Sequence, residues 1–254
     1  MIRLYHLIER LPGWTRVPFV PRPPVQATYN ADGFATMHAA DFLRDPAFIA
    51  AYQAGMATPH HFSRHTRLEW RVFVSCWAAK QGLLRPGAFV ECGVNTGITA
   101  LAVCKFLKFG SPSDPPFYLL DTFHGIPEKQ LSSAERAHGT FLNQEVYYDC
   151  YEQVVDTFKP FPSVVIVRGE IPGTLDRIAA DRISYLSVDL NNAFAEKQVL
   201  ERLWDRLVTG AVVVLDDYGH RGHQEQRKIH DGFAQNKGLF VLPLPTGQGL
   251  LLKP

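Results

Sequence analysis

From Ala88 onward the sequence alternates short apolar runs with amphipathic stretches, and this alternation limits the fold more than any other feature. AFVECG (88–93), PFYLLDTF (116–123), SVVIVRG (163–169), ISYLSVDL (183–190), AVVVLDDYG (211–219), LFVLPLP (239–245) and GQGLLLKP (247–254) read as strands. Helical spacing fills most of the intervals: 96–109, part of 131–158, a short piece at 173–180, AEKQVLERLWDRLV (195–208) and HQEQRKIHDGFAQNKG (223–238). Apolar strands separated by helices are buried on both faces, the pattern of a parallel sheet. The last two runs are joined by a turn of about two residues, whereas parallel neighbours need a crossover of about a dozen or more. The last strand therefore runs antiparallel. The sequence predicts an α/β, Rossmann-like, seven-stranded, mostly parallel sheet with an antiparallel last strand and helices on both faces.

Upstream the pattern differs. Residues 15–35 carry Pro18, Pro21, Pro23 and Pro24 and read as an extended arm. Residues 37–60 look helical, interrupted near Pro46 and Pro59, and RHTRLEWRVFVSCWAAKQGL (64–83) is a helix closed by Gly82. Leu68, Val72, Phe73 and Cys76 share its buried stripe; Arg64, Arg67 and Arg71 recur on it and read first as a solvated face, second as a contact for an anionic acceptor. The expected organisation is an N-terminal arm and helical extension over 1–63 and one domain over 64–254. The N-terminal LYHLIERL has amphipathic spacing. It reads as a short helix packed on its own domain, with a membrane surface or a neighbouring subunit of a homo-oligomer as alternatives. Arg3, Glu9 and Arg10 bracket too short an apolar core for a signal peptide, and no apolar run is long enough to span a membrane. The net charge of +1, with both signs interspersed, gives no reason to expect a nucleic-acid partner. The four cysteines form no CxxC pair, which points to a reducing, cytoplasmic setting.

Ligands in open α/β sheets bind beyond the carboxyl ends of the strands. FVECGVNTG (89–97) lies at such an end and opens a helix, so Gly93 and Gly97 permit a tight turn and free amides face a ligand. The spacing is GxxxG rather than the GxGxxG of dinucleotide sites, and Glu91 adds a negative charge that repels a pyrophosphate and attracts an ammonium. S-adenosyl-L-methionine, with an α-amino group, a sulfonium and no phosphate, suits such a site. Asp121 ends the second strand about 25 residues further on, where an acid can accept from ribose hydroxyls; Thr122 and Phe123 place a hydroxyl and a ring near the adenosine. The alternative is a purely structural turn with both acids solvated.

Asp216 and Asp217 end one buried strand and Asp189 ends the preceding one. If the strands are neighbours, the carboxylates converge and repel, and a divalent cation removes the conflict. Hard oxygen donors select Mg²⁺, Mn²⁺ or Ca²⁺ over zinc. The alternative leaves Asp216 capping a turn and Asp217 exposed. His220 and His223 follow at the same edge and are candidates for substrate contact, while His60, His61 and His65 read as surface residues.

With these residues in place the chain resembles class I S-adenosylmethionine-dependent methyltransferases, and more narrowly the macrocin-type O-methyltransferases, which modify sugar hydroxyls on glycosylated products. FVECGVNTG, LLDTFHGIPE, VVIVRGEIPGTL, SVDLNNA, VVVLDDYG and PTGQGLLLKP carry the resemblance, over roughly 64–254. It implies a metal-dependent enzyme with Mg²⁺ on Asp189, Asp216 and Asp217, cofactor contacts at Glu91, Gly93, Gly97 and Asp121, and Gly169 and Glu170 near the adenine. It also implies a small-molecule hydroxyl acceptor. One departure stands out: where the family carries a second acid or a histidine as general base, this chain has Asn191 and Asn192, neither of which takes a proton near neutral pH. Asp189, His220 or His223 then serves as base, or the metal alone activates the hydroxyl, or the acceptor chemistry differs; Asn191 and Asn192 instead orient substrate hydroxyls. The rivals are a nicotinamide-dependent oxidoreductase and a catalytically silent methyltransferase-like binding protein.

Overall fold

A computed structural model describes residues 26–60 and 66–254. The proposed amphipathic N-terminus, the proline-rich arm up to residue 25, and His61, Arg64 and His65 lie outside the described residues.

Seven strands form one sheet: β3 (Ala88–Cys92), β4 (Phe117–Asp121), β5 (Val164–Arg168), β6 (Ile183–Val188), β7 (Leu207–Leu215), β8 (Leu242–Pro243) and β9 (Gly249–Leu252). Their order is β5-β4-β3-β6-β7-β9-β8. The first five are parallel, and β9 runs antiparallel to both β7 and β8. The predicted sheet and its reversed last strand are present. Two strand limits shift: β7 begins at Leu207, inside the predicted helix, and β8 is a two-residue edge.

Helices cover both faces. On one, α6 (Ala193–Leu203) and α7 (Gln224–Asn236) press Val199, Leu200, Leu203 and Ala234 onto Val90, Leu186 and Val213. On the other, α1 (Pro46–Met56), α2 (Glu69–Gly82), α3 (Ile98–Phe106) and α5 (Tyr151–Phe158) press Phe48, Val72, Cys76, Val103 and Val154 onto Phe89, Leu119, Tyr185 and Val214. Pro46 begins α1 rather than breaking it, because the N–H of a first-turn residue has no intrahelical hydrogen bond to lose. The polar stretch after β4 folds as α4 (Arg136–Glu145) and α5, and the predicted helix at 173–180 is only a 3₁₀ turn, Leu175–Arg177.

A small hairpin, β1 (Tyr29–Ala31) with β2 (Phe34–Thr36), replaces the end of the expected arm. Asp32 and Gly33 make its turn with φ of +50° and +70°. Tyr29 and Phe34 pack edgewise on Trp70 of α2.

No described helix is long and apolar enough to cross a membrane. All four cysteines are buried free thiols.

Candidate active site

The chain order reverses direction at β3, which lies between β4 and β6. Crossovers leave its carboxyl end on opposite sides, opening a crevice there. A cavity of about 350 Å³ fills it, walled by the turn after β3, the ends of β4, β6 and β7, and α4.

The ladder continues one residue past the strand ends, with Gly93 N–H donating to Leu120 O, Asp189 N–H to Cys92 O and Asp216 N–H to Val188 O. This brings Gly93, Asp189 and Asp216 into one row. Gly93 has φ +89°, and a methyl there would overlap the Asp189 carbonyl oxygen. Gly97 also has φ +89°, but its bare side faces the Phe158 ring, and it is not on the cavity wall. The second glycine thus serves helix packing, a difference from its expected closeness to ligand.

Glu91 lines the cavity at 2% exposure, and its Oε2 has no hydrogen-bond partner. Burial, then the charges of Asp216 and Asp121, push its pKa well above the usual carboxylate range. Asp121 is fully engaged by the protein. Its Oδ2 accepts from Val94 N–H (2.6 Å) and Asn95 N–H (2.7 Å), and its Oδ1 from Phe123 N–H (2.7 Å) and Thr122 O–H (3.3 Å). Thr122, Phe123 and Gly169 are on the wall. Glu170 is not; it pairs with Lys129 at 2.8 Å.

The side-chain oxygens of Asp189, Asp216 and Asp217 lie within 4.8 Å of one another. Burial first, then Asp216 and Asp217, push the Asp189 carboxyl well up; burial and Asp216 raise that of Asp217, against the opposing pull of His223 and Arg71. Helical spacing predicts a solvated Arg71. Instead its side chain is 17% exposed, with Nη1 2.6 Å from Asp216 Oδ2 and 3.7 Å from Asp217 Oδ1. Its periodicity with Arg67 hid that Arg71, unlike Arg67, is turned inward.

The remaining predicted residues divide. His223 lines the cavity, with Nδ1 3.6 Å from Asp217 Oδ2. His220 does not: its Nε2 is 2.5 Å from Arg71 Nη2, behind the acids. Asn191, at φ +55°, donates from Nδ2 to Asp189 Oδ1 (3.1 Å) and Tyr147 O–H (3.2 Å). Asn192 caps α6, its Oδ1 accepting from Ala195 N–H at 2.7 Å, and it donates to Gln130. With its side-chain oxygen committed to the helix, it is a structural cap first. Tyr147, His138 and Gln130 also line the cavity and were not singled out from the sequence, because no strand end or glycine turn adjoins them to mark a site.

The profile of the Macrocin-O-methyltransferase (TylF) family matches residues 78–241. Among solved structures, the O-methyltransferase NovP is similar at 17% identity and TM-score 0.66, over 85% of this chain and 99% of that one. The calicheamicin methyltransferase CalS11, described as a TDP-rhamnose 3'-O-methyltransferase, is similar at 17% identity and TM-score 0.61, over 85% and 93%. A Podospora anserina methyltransferase, PaMTH1, bound to S-adenosylhomocysteine, matches at 14% identity and TM-score 0.50, over 82% and 88%. At such identities the structural likeness carries the fold. No curated protein sequence matches significantly. The profile match sets aside the nicotinamide-dependent oxidoreductase. It spans more than half the sequence, and the chain therefore belongs to the macrocin O-methyltransferase (TylF) family of S-adenosylmethionine-dependent enzymes.

Proposed function

We propose that the chain methylates a hydroxyl of a sugar or glycosylated small molecule, with a divalent cation, Mg²⁺ by donor chemistry, held by Asp189, Asp216 and Asp217. One observation carries the reading: a single cavity is lined both by Glu91, a buried carboxyl with one oxygen unpartnered, and by a cluster of three carboxylates at the carboxyl ends of the strands. The Glu91 oxygen suits the α-ammonium of the cofactor, which supplies the partner the protein lacks. The carboxylates offer only hard donors, and their mutual repulsion favours a cation. The macrocin family name and the TDP-rhamnose activity of CalS11 support a sugar acceptor.

Bound S-adenosylmethionine would supply the methyl group and a bound cation the polarisation that lowers a hydroxyl pKa. The protein's own part is placement. Asp121 braces the turn amides, Gly93 lets that turn lie against the Asp189 carbonyl, and Asn191 ties Asp189 to Tyr147. Thr122, Phe123 and Gly169 form the adenosine side. Tyr147, His138, Gln130 and Asn191 present uncharged polar groups, apt for a polyol. In-line displacement requires the acceptor oxygen about 3 Å from the methyl carbon, an alignment that polar groups fixed around one cavity would serve. The hydroxyl proton departs toward His223 or Asp189, the two candidate bases on the wall. Residues 64–254 form the catalytic domain in this reading, with 1–63 as an extension.

Asp217→Asn should lower turnover by on the order of a hundredfold or more, since even outer-shell partners cost about 10–100-fold. Its calorimetric affinity for S-adenosylhomocysteine should stay near wild type. Full activity after EDTA treatment would remove the metal from the proposal.

A further inference from the structure

Arg71 is the only lysine or arginine among the described residues that line the cavity. Its guanidinium is shared between two groups of acids. On one side Nε and Nη2 meet Asp32 of the β1–β2 hairpin at 3.1 and 3.4 Å; on the other Nη1 meets Asp216 and Asp217. Asp216 is held at both oxygens, Oδ2 by Arg71 and Oδ1 by Gln248 Nε2–H at 2.9 Å. Arg71, Asp32 and Gln248 all fall outside the segment matched by the family profile, residues 78–241.

We propose that Arg71 is a tethered cation that competes with the metal ion for Asp216, and that Asp32 eases the competition by drawing the guanidinium toward the hairpin. The inference rests on the metal reading above. Without an ion, the three carboxylates repel, and Arg71 offsets that repulsion from within hydrogen-bond reach. A bound ion would bring a second positive charge beside the guanidinium that holds Asp216, and in a part-buried setting the two would repel strongly. An ion bound at these acids would be opposed by the Arg71 charge on Asp216, and would bind more readily as the guanidinium drew away. Asp32 holds the other edge of the same guanidinium, so it supplies the place to which the charge retreats. A geometry of this kind keeps the acid cluster assembled before loading and sets a weak, exchangeable affinity for the ion.

The test is Mn²⁺ titration of the full chain, saturated with S-adenosylhomocysteine, read by the paramagnetic resonance signal of free Mn²⁺. Arg71→Met should bind Mn²⁺ about tenfold or more tighter than wild type, because a like charge has been removed. Asp32→Asn should bind several times more weakly, because Asp216 and Asp217 are then the only carboxylates left to Arg71, beside its contact with His220. Equal or weaker binding by a cooperatively folded Arg71→Met overturns the inference, as does equal or tighter binding by Asp32→Asn. If Arg71→Met does not fold, the Asp32→Asn result alone decides in the same sense. Wild type that binds while Arg71→Met binds no tighter overturns the competition and leaves the metal reading standing. No binding in wild type or either variant removes both.

Discussion

Glu91 shows what a buried, incompletely partnered carboxyl costs the folded protein, a cost that the proposed cofactor contact would offset. Its carboxyl is buried beside Asp216 and Asp121, with one oxygen unpartnered. A folded-state pKa raised above the unfolded value means that the group's stability contribution is fully present below about pH 4.5 and is lost as pH rises through the folded value. Glu91→Gln should therefore raise the melting temperature of the cofactor-free protein at pH 8 by more than at pH 5. It should also weaken S-adenosylhomocysteine binding about tenfold or more, read by calorimetry. A uniform shift at both pH values would deny the raised pKa. Glu91 was legible because its charge and its place at a strand end are both local facts. Arg71 was not, because helical spacing shows which residues share a stripe but not which one meets an acid about 145 positions away.

At the scale of elements, the turn after β3 depends on backbone freedom. Gly93→Ala would put a methyl into the Asp189 carbonyl at φ +89°, and should cost about 3 kcal/mol or more in urea denaturation. The start of α6 gives a milder case: Asn192→Ala removes a cap and should cost about 1 kcal/mol. A loss of turnover far beyond what that destabilisation explains would return Asn192 to the substrate. The strands and long helices were readable because burial on two faces, or on one stripe, leaves its mark within about ten residues. The hairpin was readable in principle from the Asp32-Gly33 pair, and the nearby prolines obscured it. The limits of β7 were not, since Leu207 to Gly210 extend the strand only because β6 and the chain's end lie alongside to pair with them.

For the whole molecule, the crevice between β4 and β6 joins the proposed cofactor wall to the acid cluster, so ligand binding there would be linked to folding. S-adenosylhomocysteine at about 100 times its dissociation constant should stabilise the chain by about 2.7 kcal/mol, while NADH should leave the melting temperature unchanged. Stabilisation by NADH instead would reopen the dinucleotide reading that the GxxxG spacing disfavoured. The sequence by itself determined the seven-stranded sheet, its reversed last strand, the glycine turn and the acids at the strand ends, because each is written in local periodicity and in residues adjoining a strand terminus. The tertiary structure alone decided which side chains meet: that Asp121 braces the turn, that Gly97 yields to Phe158, that His220 stands behind the acids, and that Arg71 enters them. Those contacts join elements far apart in the chain, and only packing against the common sheet sets their distances.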